Sequence, residues 1–393
     1  MAEHLQVLWI CGPPGVGKST VAWAIFTHLR GAETPVAYID IDQLGMCYPE
    51  PAGDPTRNLM KARNLAAAAE TFRAQGAEVL VVSGVIEESW APTYAGEAQP
   101  ADIRWCRLHL DDDPLRQRLV ARGWHEEMVS GSLEYASAQE RSTFVQARID
   151  TTEHSVDEVV RLALDSLPIR PAAHVGSTKG PGDRDVPTGT DTVLVLCGPT
   201  GVGKSTVGWH VFQRMTQAGV TTAFVDIGQL GFLYLAGEKP TDKHRVQART
   251  ASAMWSTFKA AGARALVLNG SIRSDDGVTS YVSCFPNSAR TICQLLAAET
   301  ELADRIGRRA ASTGPRLAGD ALIGLGPKEI SVVVAEAVEE LSDLAANELV
   351  DVRIDTNGLS ASVVGDLVLA SAPGWNSLLS SARRGRHQLR PRR

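Results

Sequence analysis

Two stretches of this chain carry the same nine-residue arrangement of glycine, lysine and hydroxyl groups. Gly12-Pro13-Pro14-Gly15-Val16-Gly17-Lys18-Ser19-Thr20 returns as Gly198-Pro199-Thr200-Gly201-Val202-Gly203-Lys204-Ser205-Thr206, a step of 186 from Gly12 to Gly198. These types at this spacing suit the binding of a polyphosphate. Gly12, Gly15 and Gly17 permit a tight turn whose backbone N–H groups converge on phosphate oxygens. A helix opening at the loop adds the positive end of its dipole. Lys18 would then reach the β- and γ-phosphates, and the Ser19 hydroxyl would hold Mg²⁺, with Thr20 beside it. Gly198, Gly201, Gly203, Lys204, Ser205 and Thr206 repeat the set, so ATP and Mg²⁺ are the expected ligands of both loops.

Carboxylates follow at the same step. Tyr38-Ile39-Asp40-Ile41-Asp42 faces Phe224-Val225-Asp226-Ile227-Gly228. Side chains two apart in a strand share a face, so Asp40 and Asp42 are expected together at one strand end. Asp40 is the candidate for Mg²⁺ with Ser19, and Asp226 with Ser205. Asp42 is the candidate for orienting or deprotonating an acceptor hydroxyl, the positioning work that phosphoryl transfer demands. Gly228 in its place removes that group from the second copy. Ser83-Gly84 and Asn269-Gly270 end a buried strand without the acidic residue many phosphate loops are paired with. The metal then falls to Ser19, the nucleotide and Asp40.

Cations complete the candidate set. Arg57, Lys61 and Arg63 open a predicted helix, where anionic groups could be gripped, and Arg249 aligns with Arg63. Arg57, Arg63 and Arg249, with Asp42 and Gly84, are the candidate acceptor-binding positions; a solvent-facing stripe is the plain alternative. Arg118 and Arg122, on a helix predicted over Pro114 to Arg122, recur as Arg305 and Arg309 at the same four-residue spacing. Guanidinium groups on a closing helix can stabilise a transferring phosphoryl group. A salt-bridged surface helix is the competing reading.

Apolar runs alternate with helical patterns in both copies. Strands are predicted at Val7 to Cys11, Val36 to Ile41, Val79 to Ser83, Asp102 to Leu110 and Ala147 to Ile149, with helices after the glycine loop and over Arg57 to Gln75, Pro114 to Arg122 and Val156 to Leu167. This alternation predicts an α/β fold: two tandem phosphate-loop domains, each a parallel sheet flanked by helices, with ligands at the carboxyl ends of the strands. The boundaries read as 1–168 and 193–372, joined by a Pro- and Gly-rich linker, 169–192, whose cleavage should release two folded halves. Arg148-Ile149-Asp150-Thr151 recurs as Arg353-Ile354-Asp355-Thr356 at a step of 205 rather than 186, so the second copy carries an insertion, placed at about 310–349. Residues 373–393 read as a basic disordered tail.

The chain has 393 residues, 44% apolar and 21% charged, with a net charge of −6. This suits two globular cores and gives no general case for nucleic-acid binding, the arginine-rich tail excepted. No basic leader or run of ~20 apolar residues is present, so a cytoplasmic location without membrane partners is expected. Six scattered cysteines without a C-x-x-C pair read as reduced and buried.

Together, Gly12 to Thr20, Asp40-Ile41-Asp42, the Gly84 strand end and Leu115-Arg116-Gln117-Arg118-Leu119 resemble the P-loop kinases of small molecules: shikimate, gluconate and adenylylsulfate kinases and chloramphenicol phosphotransferase. The resemblance covers most of the first copy and, more loosely, the second. It implies Mg²⁺ and acceptor roles for Asp40 and Asp42, and phosphate roles for Arg118 and Arg122. The expected function is an ATP-dependent kinase of a small hydroxylated acceptor. Its first domain would be catalytic, and its second would have lost its acceptor carboxylate. A nucleotide-binding regulatory or scaffold ATPase and a nucleotide or polynucleotide kinase are the alternatives.

Overall fold

A computed structural model describes residues 5–170, 191–237, 243–312, 319–343 and 347–380. Most of the expected linker, and the arginines of the tail, lie outside the described residues. The first copy runs β1 (Gln6–Cys11), α1 (Lys18–Gly31), β2 (Val36–Asp40), β3 (Cys47–Tyr48), α2 (Asn58–Ala74), β4 (Val79–Ser83), α3 (Ala91–Glu97), β5 (Asp102–His109), α4 (Asp112–Ala121), α5 (Glu126–Glu140), β6 (Ala147–Asp150) and α6 (Val156–Ser166). The second runs β7 (Thr192–Cys197), α7 (Lys204–Gln217), β8 (Thr222–Asp226), β9 (Phe232–Tyr234), α8 (Lys243–Ala260), β10 (Ala265–Asn269), α9 (Asp275–Cys284), β11 (Ala289–Leu296), α10 (Glu299–Ala310), α11 (Pro327–Asp343), β12 (Val352–Asp355) and α12 (Ala361–Ser371).

The fold is α/β, with two mostly parallel sheets flanked by helices. Their strand orders are β6-β5-β1-β4-β2-β9 and β12-β11-β7-β10-β8-β3. β1 and β7 lie third in each sheet, and every residue of both is buried. That explains their unbroken apolar runs, because a parallel strand covered by helices on both faces has no solvent side. Each runs directly into its glycine loop and helix.

The last strand of each sheet breaks the expected order. β9 belongs by sequence to the second copy, yet it pairs antiparallel with β2, Val36 opposite Tyr234 and Tyr38 opposite Phe232. β3 belongs to the first copy and pairs antiparallel with β8, Cys47 opposite Ala223. The chain accordingly divides into unit one (Met1–Gly45, Asn58–Asp183, Phe232–Val246) and unit two (Met46–Arg57, Arg184–Gly231, Gln247–Arg393). The expected halves, 1–168 and 193–372, have therefore exchanged short segments. Aromatic packing accounts for the edge of unit one. Phe232 stands over Trp23 at 4.8 Å and Tyr38 at 5.8 Å between ring centroids. In unit two, Tyr48 packs edge-on against Phe212 at 6.0 Å.

Two further points concern unit two. The insertion is centred on the α10–α11 connection, part of which lies outside the described residues. The tail expected at 373–393 is not disordered throughout. Residues 375–380 are helical, and Trp375 and Leu378 are buried in the core with Val364 and Val368. Cys11, Cys47, Cys106, Cys197 and Cys293 are buried and Cys284 is partly exposed, and none of the six is in a disulfide. Among the described residues no helix is long and apolar enough to cross a membrane.

Candidate functional site

In unit one, α1 begins at Lys18 directly from Gly17, so the loop amides precede the helix's N-terminal end. Gly12 sits at φ +138°, and a Cβ there would meet the Leu108 carbonyl oxygen at 2.6 Å. Only glycine allows the turn to pass so close to β5. Lys18 folds back and donates to the Pro13 carbonyl at 2.8 Å. Burial pulls its ammonium down to about 8, opposed by the nearby Asp42 and Asp40 carboxylates. Lys204 repeats this, donating to the Gly198 and Pro199 carbonyls at 2.9 and 2.8 Å, with its ammonium likewise drawn down to about 8 by burial.

Asp40 ends β2 against the loop. Its Oδ2 accepts from Ser19 Oγ at 3.2 Å and from Ser83 Oγ at 2.7 Å, and its Oδ1 accepts from the Asp42 amide at 3.0 Å. Burial raises its carboxyl above the ordinary range, and the Asp42 charge adds to the effect. A half-buried carboxylate and a hydroxyl, adjacent and oxygen-only, fit a hard divalent cation such as Mg²⁺. Ser19 and Asp40 are the residues that would hold it. In unit two Asn269 takes the part of Ser83, its Nδ2 lying 3.1 Å from Ser205 Oγ and 3.2 Å from Asp226 Oδ2. In sequence, Ser83 and Asn269 stand out only as residues that are not acidic. Their role is to orient the aspartate, and their position at the strand end is the signal for it.

Asp42 is not on the strand. β2 stops at Asp40, whose carboxylate caps a 3₁₀ turn over Ile41–Leu44 by accepting the Asp42 amide. The two carboxylates thus meet through a turn rather than through strand alternation, which corrects the expected geometry. Asp42 is 65% exposed and pairs with Lys61 Nζ at 2.7 Å. Lys61, read from sequence as a grip for anions, therefore already has a carboxylate partner. In unit two both members differ: Gly228 stands for Asp42, and Gln247, which donates to the Ile227 carbonyl at 2.7 Å, stands for Lys61.

The remaining candidates divide. Arg118 Nη1 donates to the Val16 carbonyl at 3.3 Å and so lies against the loop. Arg122, at the end of α4, is exposed and close enough to act electrostatically on Lys18. Arg305 holds the corresponding place in unit two, donating to the Val202 carbonyl at 2.8 Å and to Thr356 Oγ1 at 3.0 Å. Arg309 is bound to Asp320 at 2.5 Å. Two of the expected acceptor-binding positions, Arg57 and Arg63, have carboxylate partners. Arg57 falls in unit two, stacked 4.2 Å over Tyr48 and paired with Glu50 at 3.1 Å. Arg63 pairs with Glu97 at 3.3 Å, and Arg249 is exposed on α8 of unit two. Gly84 serves packing, because a Cβ there would lie 2.0 Å from Ile41 Cγ2.

Unit two contains a cavity of about 810 Å³ lined by the loop from Gly201 to Val207, by Arg305 and Arg309 of α10, and by Thr356 and Gly358 after β12. Such a cavity matches a nucleotide in size and joins the phosphate loop to a less polar wall at Leu322 and Val364.

Residues 8–140 match a family model described as AAA domain. No curated protein sequence matches the chain. Among solved structures the chain is similar to a gluconokinase from Sinorhizobium meliloti 1021 (19% identity, 42% of this chain and 93% of that one, TM-score 0.31). It is also similar to a tunicamycin resistance protein from Deinococcus radiodurans (14%, 47% and 96%, 0.33) and to shikimate kinase from Bacteroides thetaiotaomicron (16%, 41% and 97%, 0.29).

Proposed function

We propose that unit one is an ATP-dependent phosphotransferase for a small hydroxylated acceptor, and that unit two binds nucleotide without performing this transfer. The observation that carries the reading is the Asp42–Lys61 pair beside the loop of unit one, replaced by Gly228 and Gln247 in unit two. The loop amides and Lys18 hold the phosphate chain, and Arg118 braces the loop. Ser19 and Asp40 would hold Mg²⁺, which would supply charge neutralisation to the phosphate chain. Asp42, open to solvent, orients the acceptor hydroxyl and takes its proton. The acceptor oxygen bonds to the γ-phosphorus as the bond from that phosphorus to the bridging oxygen breaks, and ADP leaves with the electron pair.

The second reading, a nucleotide-binding regulatory protein, is favoured only by the altered acceptor side of unit two. The experiment is transfer from γ-labelled ATP into fractionated metabolite pools. Asp42→Asn removes a surface ion pair worth about 0–1 kcal/mol, so the fold survives. At pH 7 it should leave nucleotide affinity at loop one nearly unchanged and lower transfer on the order of 10²-fold. Lys204→Ala should retain a sizeable part of the transfer. If Lys204→Ala abolishes transfer and Asp42→Asn spares it, catalysis belongs to the other unit.

A further inference from the structure

Loop two carries an anion of its own. Glu340, on α11, is only 4% exposed. Its carboxylate accepts from the Thr200 backbone N–H at 3.0 Å, lies 3.5 Å from Thr200 Oγ1, and pairs with Arg273. Thr200 is the third residue of the loop. Loop one has Pro14 there, which offers no N–H, and its α5 contact is neutral, Ser132 Oγ to the Pro14 carbonyl at 3.5 Å. Among the described residues, a buried carboxylate on the third loop position is found in unit two and not in unit one.

Its place relative to the cavity decides its effect. The loop lines the cavity from Gly201 onward, and Thr200 is the residue that precedes it. Lys204 lines the cavity, and in such loops the lysine reaches the β- and γ-phosphates. Glu340 is the strongest charge acting on Lys204. A nucleotide seated in the cavity lays its inner phosphates on the amides from Gly201 onward. A third phosphate, extending toward Thr200, meets an amide already engaged and a fixed negative charge. Like charges a few ångströms apart in a partly buried site repel strongly, and Arg273 offsets only part of that.

We propose that loop two is a nucleoside-diphosphate site, with Glu340 standing where a third phosphate would be held. The inference rests on the reading of loop two as a nucleotide site, and it agrees with the loss of Asp42 and Lys61 counterparts there. A site that transfers nothing has no need of a γ-phosphate. The alternative, Glu340 as a base activating a hydroxyl or water, predicts a different outcome.

Displacement of a fluorescent ADP derivative, with Mg²⁺ present, separates these readings. The competitors are ADP and an ATP analogue with an imido β,γ-bridge. The full chain with Lys18→Ala reports loop two, and that with Lys204→Ala reports loop one. Loop two should hold ADP at least about tenfold more tightly than the analogue, about 1.4 kcal/mol, and loop one should show no such preference. Added to the Lys18→Ala chain, Glu340→Gln and, independently, Thr200→Pro should each narrow the ratio to about threefold or less. Equal binding of ADP and analogue at the unaltered loop two overturns the inference. So does a ratio that neither substitution moves; if Glu340→Gln also abolishes ATP hydrolysis, Glu340 is a base. Binding of neither ligand to the Lys18→Ala chain overturns the nucleotide reading of loop two itself.

Discussion

Phe232→Ala should destabilise unit one, although Phe232 belongs by sequence to the second copy. Its ring touches Trp23, Phe26 and Tyr38, with centroids 4.8, 6.4 and 5.8 Å away, and its strand closes the edge of β2. Truncating a fully buried phenylalanine costs about 3–5 kcal/mol. Phe232 is only partly buried, so about 2–3 kcal/mol is expected here. Where amides exchange through opening of the unit, that is a roughly 30- to 150-fold faster rate. Hydrogen exchange read by mass spectrometry, peptide by peptide, is the assay. Peptides over Val36–Asp40 and Val79–Ser83 should lose protection, while those over β7 and β11 keep theirs. Tyr48→Ala should give the mirror result, loosening Thr222–Asp226 in unit two. If Phe232→Ala loosens β7 and β11 and leaves β2 untouched, the segment exchange is wrong.

Cleavage between 171 and 190 should leave two fragments that co-elute, because each unit contains segments of both copies; elution as free halves would contradict the exchange. Titration with Mg²⁺ and ADP is expected to show two nucleotide sites per chain, and Lys18→Ala and Lys204→Ala should each remove one. Each lysine is cationic below about 8, and a bound phosphate raises that value. Binding should therefore take up protons at about pH 8–9 but not at about pH 6.5, and affinity should fall as pH rises past about 8; calorimetry in buffers of different ionisation enthalpy reads this directly. Gly84→Ala forces a Cβ to 2.0 Å from Ile41 Cγ2 at φ +151°, so a loss of about 1–3 kcal/mol or more is expected in denaturant melts. Ile41→Val should recover part of it, and an unchanged midpoint for Gly84→Ala would refute the packing role.

The parts of the fold legible in the sequence are those fixed by local rules. β1 and β7 are unbroken apolar runs, and the loops carry glycines that the turn requires, so strand, loop and helix follow directly. The exchanged strands obey no such rule. β3 has two residues and β9 three, too short for any periodicity, and their partners are chosen by tertiary packing. Helices α3, α5, α9 and α11 are absent from the sequence reading, among them the helix that carries Glu340. Asp42 is legible as a site residue but not in its place, because strand alternation stops at Asp40, where the capped turn begins. Arg57 and Arg63 read as anion grips from composition alone, and the structure gives each a carboxylate partner.

The differences between the copies are not scattered over the two loops. Lys18 and Lys204, Ser19 and Ser205, Asp40 and Asp226, and Arg118 and Arg305 agree in type and in placement. Pro14 against Thr200, Asp42 against Gly228 and Lys61 against Gln247 do not. On the proposed reading the agreeing set would face the inner phosphates and the cation, and the differing set the end of the phosphate chain and the acceptor; Ser83 against Asn269 is a difference on the cation side. In unit one that end carries an exposed carboxylate paired with Lys61, and in unit two it carries a buried one bound to the loop. On the proposed reading, nucleotide binding is what the two units share, and the fate of the terminal phosphate is what separates them.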